Sequence, residues 1–293
     1  MAHIEPSAWL IPEQKNLQLA DFPTRVSDED KNADDLKKAL RRVVKKISEL
    51  QRKLYADDRM SLLFVFQAMD AAGKDSTIRT VFSGVNPAGF QVHAFKKPSD
   101  KELDHDFLWR SATALPQRGR IGVFNRSYYE EVLVVRVHES ILGGQRLPPD
   151  RSTDEVLWRE RLQSIAEHEK HLARNGTRVV KFFLNVSREE QAKRFIARID
   201  ESKKNWKFNP GDVRERAFWA DYQHAYEQAL MHTSTAECPW YAIPADDKPR
   251  MRLEVAKLVL QHLEGLPLEW PELDRDSQQK LQDYKRGLES GEL

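Results

Sequence analysis

The stretch SLLFVFQAMDAAGKDS, Ser61–Ser76, sets an uninterrupted apolar run against a turn of small residues that ends in a lysine. Leu62–Phe66 reads as a strand buried on both faces. The turn, Gln67–Ser76, leads into a helix-compatible stretch. Strand, small-residue turn with lysine, then helix is the layout of a phosphate-binding P-loop. The usual pattern is G-x-x-x-x-G-K-[ST]. Here Ala68 stands at the first glycine and Asp75 at the hydroxyl position, while Gly73 and Lys74 are retained. Successive N–H groups of such a turn, with the following helix start, form an anion nest. Gly73 permits close approach, Lys74 supplies a point charge, and Ser76 offers a hydroxyl one position later than usual. Asp70, inside the loop, reads as a ligand for Mg²⁺, with Mn²⁺ as the second candidate ion; the alternative is a turn-forming aspartate bonded to local backbone.

Composition narrows what such a loop serves. The chain has 293 residues, 40% hydrophobic and 32% charged, with a net charge of +1. An anion site must therefore come from local clustering. Near-neutral charge and the lack of a recognition module argue against nucleic acid as a partner. The single cysteine, Cys238, has no partner for an internal disulfide, which fits a reducing compartment. No apolar run is long enough to span a bilayer, and MAHIEPSAWLIPEQK lacks a basic start followed by an apolar stretch. The expectation is a cytoplasmic protein without a membrane partner.

Outward from the loop, short apolar runs alternate with helical stretches. The expected strands are Leu62–Phe66, Phe90–Ala94, Ile121–Phe124, Val179–Leu184 and Trp240–Ile243. Helices are expected at Ser76–Val85, Lys101–Ala114, Tyr128–His138, Asp154–Arg174, Ser187–Asp200 and Met251–Leu263. A long amphipathic helix precedes them, from about Ser27, capped by Ser27 with Asp30, its stripe running from Leu36 to Leu54. This alternation predicts an α/β fold, a parallel sheet covered on both faces. Residues 1–30 read as an extended arm, 31–270 as a P-loop domain with a lid at about 187–215, and 271–293 as a peripheral helix. SKKNWKFNPGD, Ser202–Asp212, reads as the mobile tip of that lid.

Three further clusters bear on chemistry. In RGRIGVFNRSYYEE, Asn125 and Arg126 fall at a strand's carboxyl end, the ligand edge of a doubly wound sheet. A metal-binding aspartate is usual there, and Asn125 brings no charge; Arg126 can neutralise phosphate oxygens, and Glu130 can restore a carboxylate or simply favour a helix start. Lys96 and Lys97 follow the second strand, and Arg110, Arg118 and Arg120 are expected on the same edge; they read either as ordinary solvated charges or as a track for a long polyanion. Arg194 and Arg198, four apart on one helix face and followed by Lys203, Lys204 and Lys207 with Trp206 and Phe208 between, read either as lid cations closing over a phosphate or as ordinary surface charges of an amphipathic helix.

Taken together, MDAAGKDSTIR, FNRSYYEEVLVVRVH, KNWKF with its following GD, FW, YQ and AYEQAL, and TSTAECPWYAIPADDK resemble the polyphosphate kinase 2 family, in family order from about residue 30 to 265. The FNRSYYE form is similar to the class III branch, associated with phosphorylating both AMP and ADP. The resemblance implies a thymidylate-kinase-like three-layer core, a five-stranded parallel sheet between helices, with a helical lid. It implies inorganic polyphosphate as donor and adenine nucleotides as acceptors, guanine being the second candidate base. It assigns catalytic roles to Asp70, Lys74, Asn125 and Arg126, with Asn125 departing from the aspartate of other branches. It places Gly73, Asp75, Ser76, Glu130, Arg194 and Arg198 around the nucleotide and phosphates. Lys74, Arg79, Lys96, Lys97, Arg118 and Arg120 then line the polymer groove. A homodimer or homotetramer is usual for the family. The competing readings are an ATP-dependent nucleoside monophosphate kinase and a nucleotide-binding switch protein.

Overall fold

The computed structural model describes residues 7–13, 16–26, 32–148 and 154–292. In chain order these form α1 (Ala33–Asp57), β1 (Ser61–Gln67), α2 (Lys74–Val81), β2 (Phe90–Ala94), α3 (Asp100–Leu103), α4 (Trp109–Ala112), β3 (Ile121–Asn125) and α5 (Val134–Val137). Then come α6 (Glu155–Arg174), β4 (Thr177–Asn185), α7 (Arg188–Asp200), α8 (Pro210–Arg214), α9 (Trp219–Thr233), β5 (Trp240–Pro244), α10 (Lys248–Glu264) and α11 (Arg275–Ser290).

The five strands make one parallel sheet in the order β2-β3-β1-β4-β5. Every residue of β1 is buried, which is why its sequence is an apolar run rather than an alternation. Phe66 of β1 packs against Phe182 of β4 with ring centroids 5.0 Å apart. α1, α2 and α10 pack together as one helical layer, and α6 with α9 as another. The chain leaves β1 toward β2 on one side and β4 toward β5 on the other. The carboxyl end of β1 thus sits where the winding reverses, the place open α/β sheets bind ligands.

The expected strands are all present, each within two residues of the expected ends. The helical expectations need three corrections. Lys101–Ala114 is not one helix but the short α3 and α4: Ser99 and Glu102 form a capping box at the start of α3, and the chain turns between the two helices, where Asp106 Oδ1 accepts from Leu108 N–H at 2.9 Å. Tyr128–His138 divides into a 3-10 turn, Tyr128–Glu131, and α5. Ser202–Asp212 is not an open loop: a 3-10 segment, Ser202–Lys207, and α8 occupy it. The Ser27 cap lies outside the described residues; Asn32 caps α1 by accepting from the amides of Asp34 and Asp35.

The arm is fastened to the sheet. Ile11 N–H donates to Trp240 O at 2.9 Å and Ala242 N–H to Trp9 O at 2.8 Å, so an antiparallel bridge covers the β5 edge. Ile11, Leu17 and Leu19 join the core. α11 buries only Gly287 among its side.

Candidate active site

Gly73 ends the loop at φ 110°, a left-handed conformation that only glycine adopts without strain, and α2 begins at Lys74. Lys74 Nζ folds back to donate to Ala68 O at 2.7 Å. Burial pulls this ammonium below the usual lysine range, and the Asp70 carboxylate beside it pulls the other way. Asp70 accepts from Arg126 Nη2 at 3.1 Å. Arg126 also faces Glu130 at 3.6 Å, and Glu130 accepts from Gln67 Nε2 at 3.0 Å. Burial alone would lower the Arg126 guanidinium, but Glu130 and Asp70 outweigh it and hold it above the ordinary range.

Arg126 reaches Asp70 because its backbone turns at φ 64° as β3 ends, with its N–H bonded to Phe66 O at 3.1 Å. A non-glycine residue there costs of order 1 kcal/mol. The turn is held on its far side by Tyr128 and Tyr129, whose hydroxyls donate to Glu169 of α6 at 2.8 and 2.9 Å. Asn125 does not stand alone at the strand end: its amide donates to Asp75 Oδ1 at 2.7 Å, clamping β3 to the first turn of α2.

These groups open into a cleft of about 680 Å³. Ten basic and three acidic side chains line it, on a chain whose net charge is +1. Asp70, Gly73, Lys74, Asp75, Ser76, Asn125 and Arg126 all reach it, as do Lys96, Lys97, Arg194 and Arg198. Arg79 lines a neighbouring recess of about 390 Å³ that shares Asp75 and Asn125 with the cleft. Glu130 stands behind Arg126 rather than in the cleft wall.

Two sequence expectations are corrected. Arg118 and Arg120 precede β3 and lie at its amino end, about 16 Å from the cleft at 3.3 Å per residue. Arg118 Nη1 donates to Arg59 O at 2.8 Å, and Arg120 lies 4.5 Å over the Tyr55 ring. They share no edge with Lys96 and Lys97. Arg194 is not a mobile lid arginine: it is buried, and all of its N–H groups are bonded to protein acceptors.

Other cleft residues lacked a role in the sequence reading. Lys248 and Arg252 come from the start of α10, and burial holds both below their usual range. They follow β5 directly and are four apart, so the rule that ligands gather at strand carboxyl ends could have found them. Asp212 of α8 also faces the cleft, 3.4 Å from Arg198 Nη1. Burial, then the Asp70 charge, raises its carboxyl above the usual range. Lys204, Trp206 and Lys207, which the sequence reading did single out, also line the cleft.

A family model described as Polyphosphate kinase 2 (PPK2) matches residues 30–269. The chain belongs to the polyphosphate kinase 2 family. Among curated relatives of this family, an ADP-polyphosphate phosphotransferase of Rhodopseudomonas palustris is 48% identical over 97% of this chain and 99% of its own length. An AMP/ADP-polyphosphate phosphotransferase of Meiothermus ruber is 42% identical over 80% of this chain and 83% of its own. The crystal structure of Polyphosphate Kinase 2 from Arthrobacter aurescens TC1 superposes with a TM-score of 0.83 and 37% identity, covering 92% of this chain and 94% of that one. The family resemblance drawn from the motifs and the P-loop kinase-like fold it implied both stand.

Proposed function

We propose that this protein transfers the terminal phosphate of inorganic polyphosphate to AMP and ADP, reversibly. The observation that carries the reading is the ten-to-three excess of cations around a P-loop on a nearly neutral chain. A linear polyanion needs such a concentration of charge. The degraded loop, with Ala68 and Asp75 at two signature positions, fits an ATP cradle poorly. The activities named for the two relatives add support for the donor and for both acceptors.

In this reading Lys74, Lys96 and Lys97 hold the polymer. The acceptor lies under the lid near Arg198, Lys204 and Lys207. An oxygen of its terminal phosphate attacks the terminal phosphorus in line, and the bond to the shortened polymer breaks. Arg126 neutralises the equatorial oxygens, and no covalent phosphoenzyme forms. Among the described residues no group of three or more His, Cys, Asp or Glu gathers as a metal cage. Asp70 is one carboxylate facing a phosphate cleft, and Mg²⁺ is commonly held by one or two carboxylates with substrate phosphates. Asp70 would hold that ion, or Mn²⁺, which would supply charge neutralisation at the transferring group. No helix among the described residues is long and apolar enough to cross a membrane. A cytoplasmic homodimer or homotetramer, binding no nucleic acid, completes the proposal.

An acceptor panel tests it: polyphosphate with AMP, ADP or GDP, products separated by ion-exchange chromatography, with and without chelator. Phosphorylation of AMP and ADP that stops on metal removal is expected. No nucleotide product from any acceptor would overturn the proposal. The corrected groove carries its own prediction. Neutralising Lys96 and Lys97 to Gln raises KM for polyphosphate about tenfold or more, while Arg118→Gln and Arg120→Gln leave it within about twofold. Initial rates against polymer concentration check this.

A further inference from the structure

α7 presents two side chains, Gln191 and Arg194, to the back of the P-loop. Gln191 Nε2 donates to Asp70 O at 3.0 Å. Arg194 Nη1 donates to Ala71 O at 3.2 Å and to Ala72 O at 2.7 Å. Its Nη2 reaches Ala245 O at 2.6 Å and Asp246 O at 3.2 Å beyond β5, and its Nε reaches Glu190 at 2.8 Å. Three consecutive loop carbonyls are thus captured by side chains of one helix.

That capture decides where the loop's amides point. In a trans peptide the C=O and the following N–H are directed oppositely. With the Asp70 and Ala72 carbonyls turned toward α7, the N–H groups of Ala71 and Gly73 turn toward the cleft. Ala72 N–H stays inside the turn, bonded to Met69 O at 3.3 Å. The loop has reason to need holding. Ala71 sits at φ 61° without being a glycine, and the first signature glycine is Ala68.

The brace continues to the lid. Gln191 Oε1 accepts from Arg216 Nη1 at 2.6 Å, and Arg216 also bonds Arg188 O at 3.1 Å. Arg216 stands in the 3-10 turn Glu215–Phe218, directly after α8. None of its hydrogen bonds goes to the loop. The chain of contacts is lid base, Arg216, Gln191, loop carbonyl.

We infer that Gln191 and Arg194 are positioning residues that set the P-loop amides for phosphate, and that Arg216 couples the lid base to that setting through Gln191. Neither Gln191 nor Arg194 touches the reacting atoms in this arrangement. The kinetic part rests on the proposed phosphotransfer; the structural part does not.

Two variants avoid emptying the buried Arg194 site. Gln191→Glu keeps an oxygen for Arg216 but loses the donor to Asp70 O. Arg216→Met removes the lid contact alone. Each is assayed with polyphosphate and ADP, and the loop peptide spanning residues 67–76 is followed by hydrogen exchange. The expected result is kcat lowered about tenfold or more, with KM for both substrates within about threefold. Loop exchange quickens in both variants while the sheet and melting temperature are unchanged. Gln191→Leu combined with Arg216→Met should exchange no faster than Gln191→Leu alone, since both cut one connection. A raised KM for polyphosphate with unchanged kcat and loop exchange would overturn the inference, showing direct substrate contact. Unchanged loop exchange in Arg216→Met would overturn the coupling. A wild-type protein inactive with polyphosphate would instead defeat the proposed function, and the exchange measurement would still decide the brace.

Discussion

Lys74→Ala lowers kcat for transfer from polyphosphate by about 10²–10³-fold and leaves the melting temperature nearly unchanged. The ammonium is placed for this by its surroundings. It is bonded to Ala68 O at 2.7 Å, part-buried at the start of α2, and flanked by the Asp70 carboxylate. Transferring a phosphoryl group asks the protein for little beyond alignment and neutralisation of charge spread over three oxygens. A cation already partly withdrawn from water supplies more than a solvated lysine would. The fold survives because the side chain bonds one carbonyl that solvent can serve in its absence. Steady-state kinetics beside a thermal melt decide the matter. A folded Lys74→Ala protein with wild-type kcat would remove the loop from the mechanism.

Lys181→Met destabilises the fold by about 3–5 kcal/mol, because it leaves a carboxylate buried without its cation. Lys181 stands in β4 with no exposed surface, ion-paired to Glu169 of α6 and bonded to Thr233 O at 2.7 Å. Burial raises the Glu169 carboxyl above its usual range, and Lys181 is the main opposing influence. Removing the cation raises it further. A carboxyl whose folded-state pKa exceeds its unfolded value loses stability as pH climbs from the unfolded value toward the folded one. The deficit of Lys181→Met against wild type is therefore smallest in acid and grows toward neutral pH. Glu169→Gln in the same chain recovers part of it, since Tyr128 and Tyr129 can still donate to the amide oxygen. Urea unfolding of the single and double variants across that pH range checks both statements. Equal stability of Lys181→Met and wild type at neutral pH would contradict them. The pair has a functional consequence too: the tyrosines it anchors lie one serine beyond Arg126, so the network steadies the turn that aims the guanidinium.

The strands and their parallel order were legible because a doubly covered sheet leaves its mark as apolar runs between helices. That Asp70, Lys74 and Arg126 meet in one cleft was legible because a phosphate loop and a strand end are local patterns. What the sequence hid was the direction of long side chains. Arg118 and Arg120 lie within a few residues of Asn125, yet the strand between them carries the two groups to opposite ends of the sheet. Arg194 shows the same limit at helix spacing. Sharing a helix face with Arg198 says nothing about the carbonyls of a loop more than a hundred residues earlier, and those consume it. Periodicity also misread Tyr128–His138. Two adjacent tyrosines both reach Glu169, which a regular helix, turning 100° per residue, does not allow.

The central claim is that the phosphate held by this loop belongs to an inorganic polymer. It is tested most directly by comparing initial rates of ADP formation from AMP with polyphosphate and with ATP as donor, at equal phosphoanhydride concentration. The account predicts a rate with polyphosphate at least about tenfold the rate with ATP, equivalent to about 1.4 kcal/mol in transition-state preference. A faster rate with ATP would contradict it and identify an ordinary nucleoside monophosphate kinase.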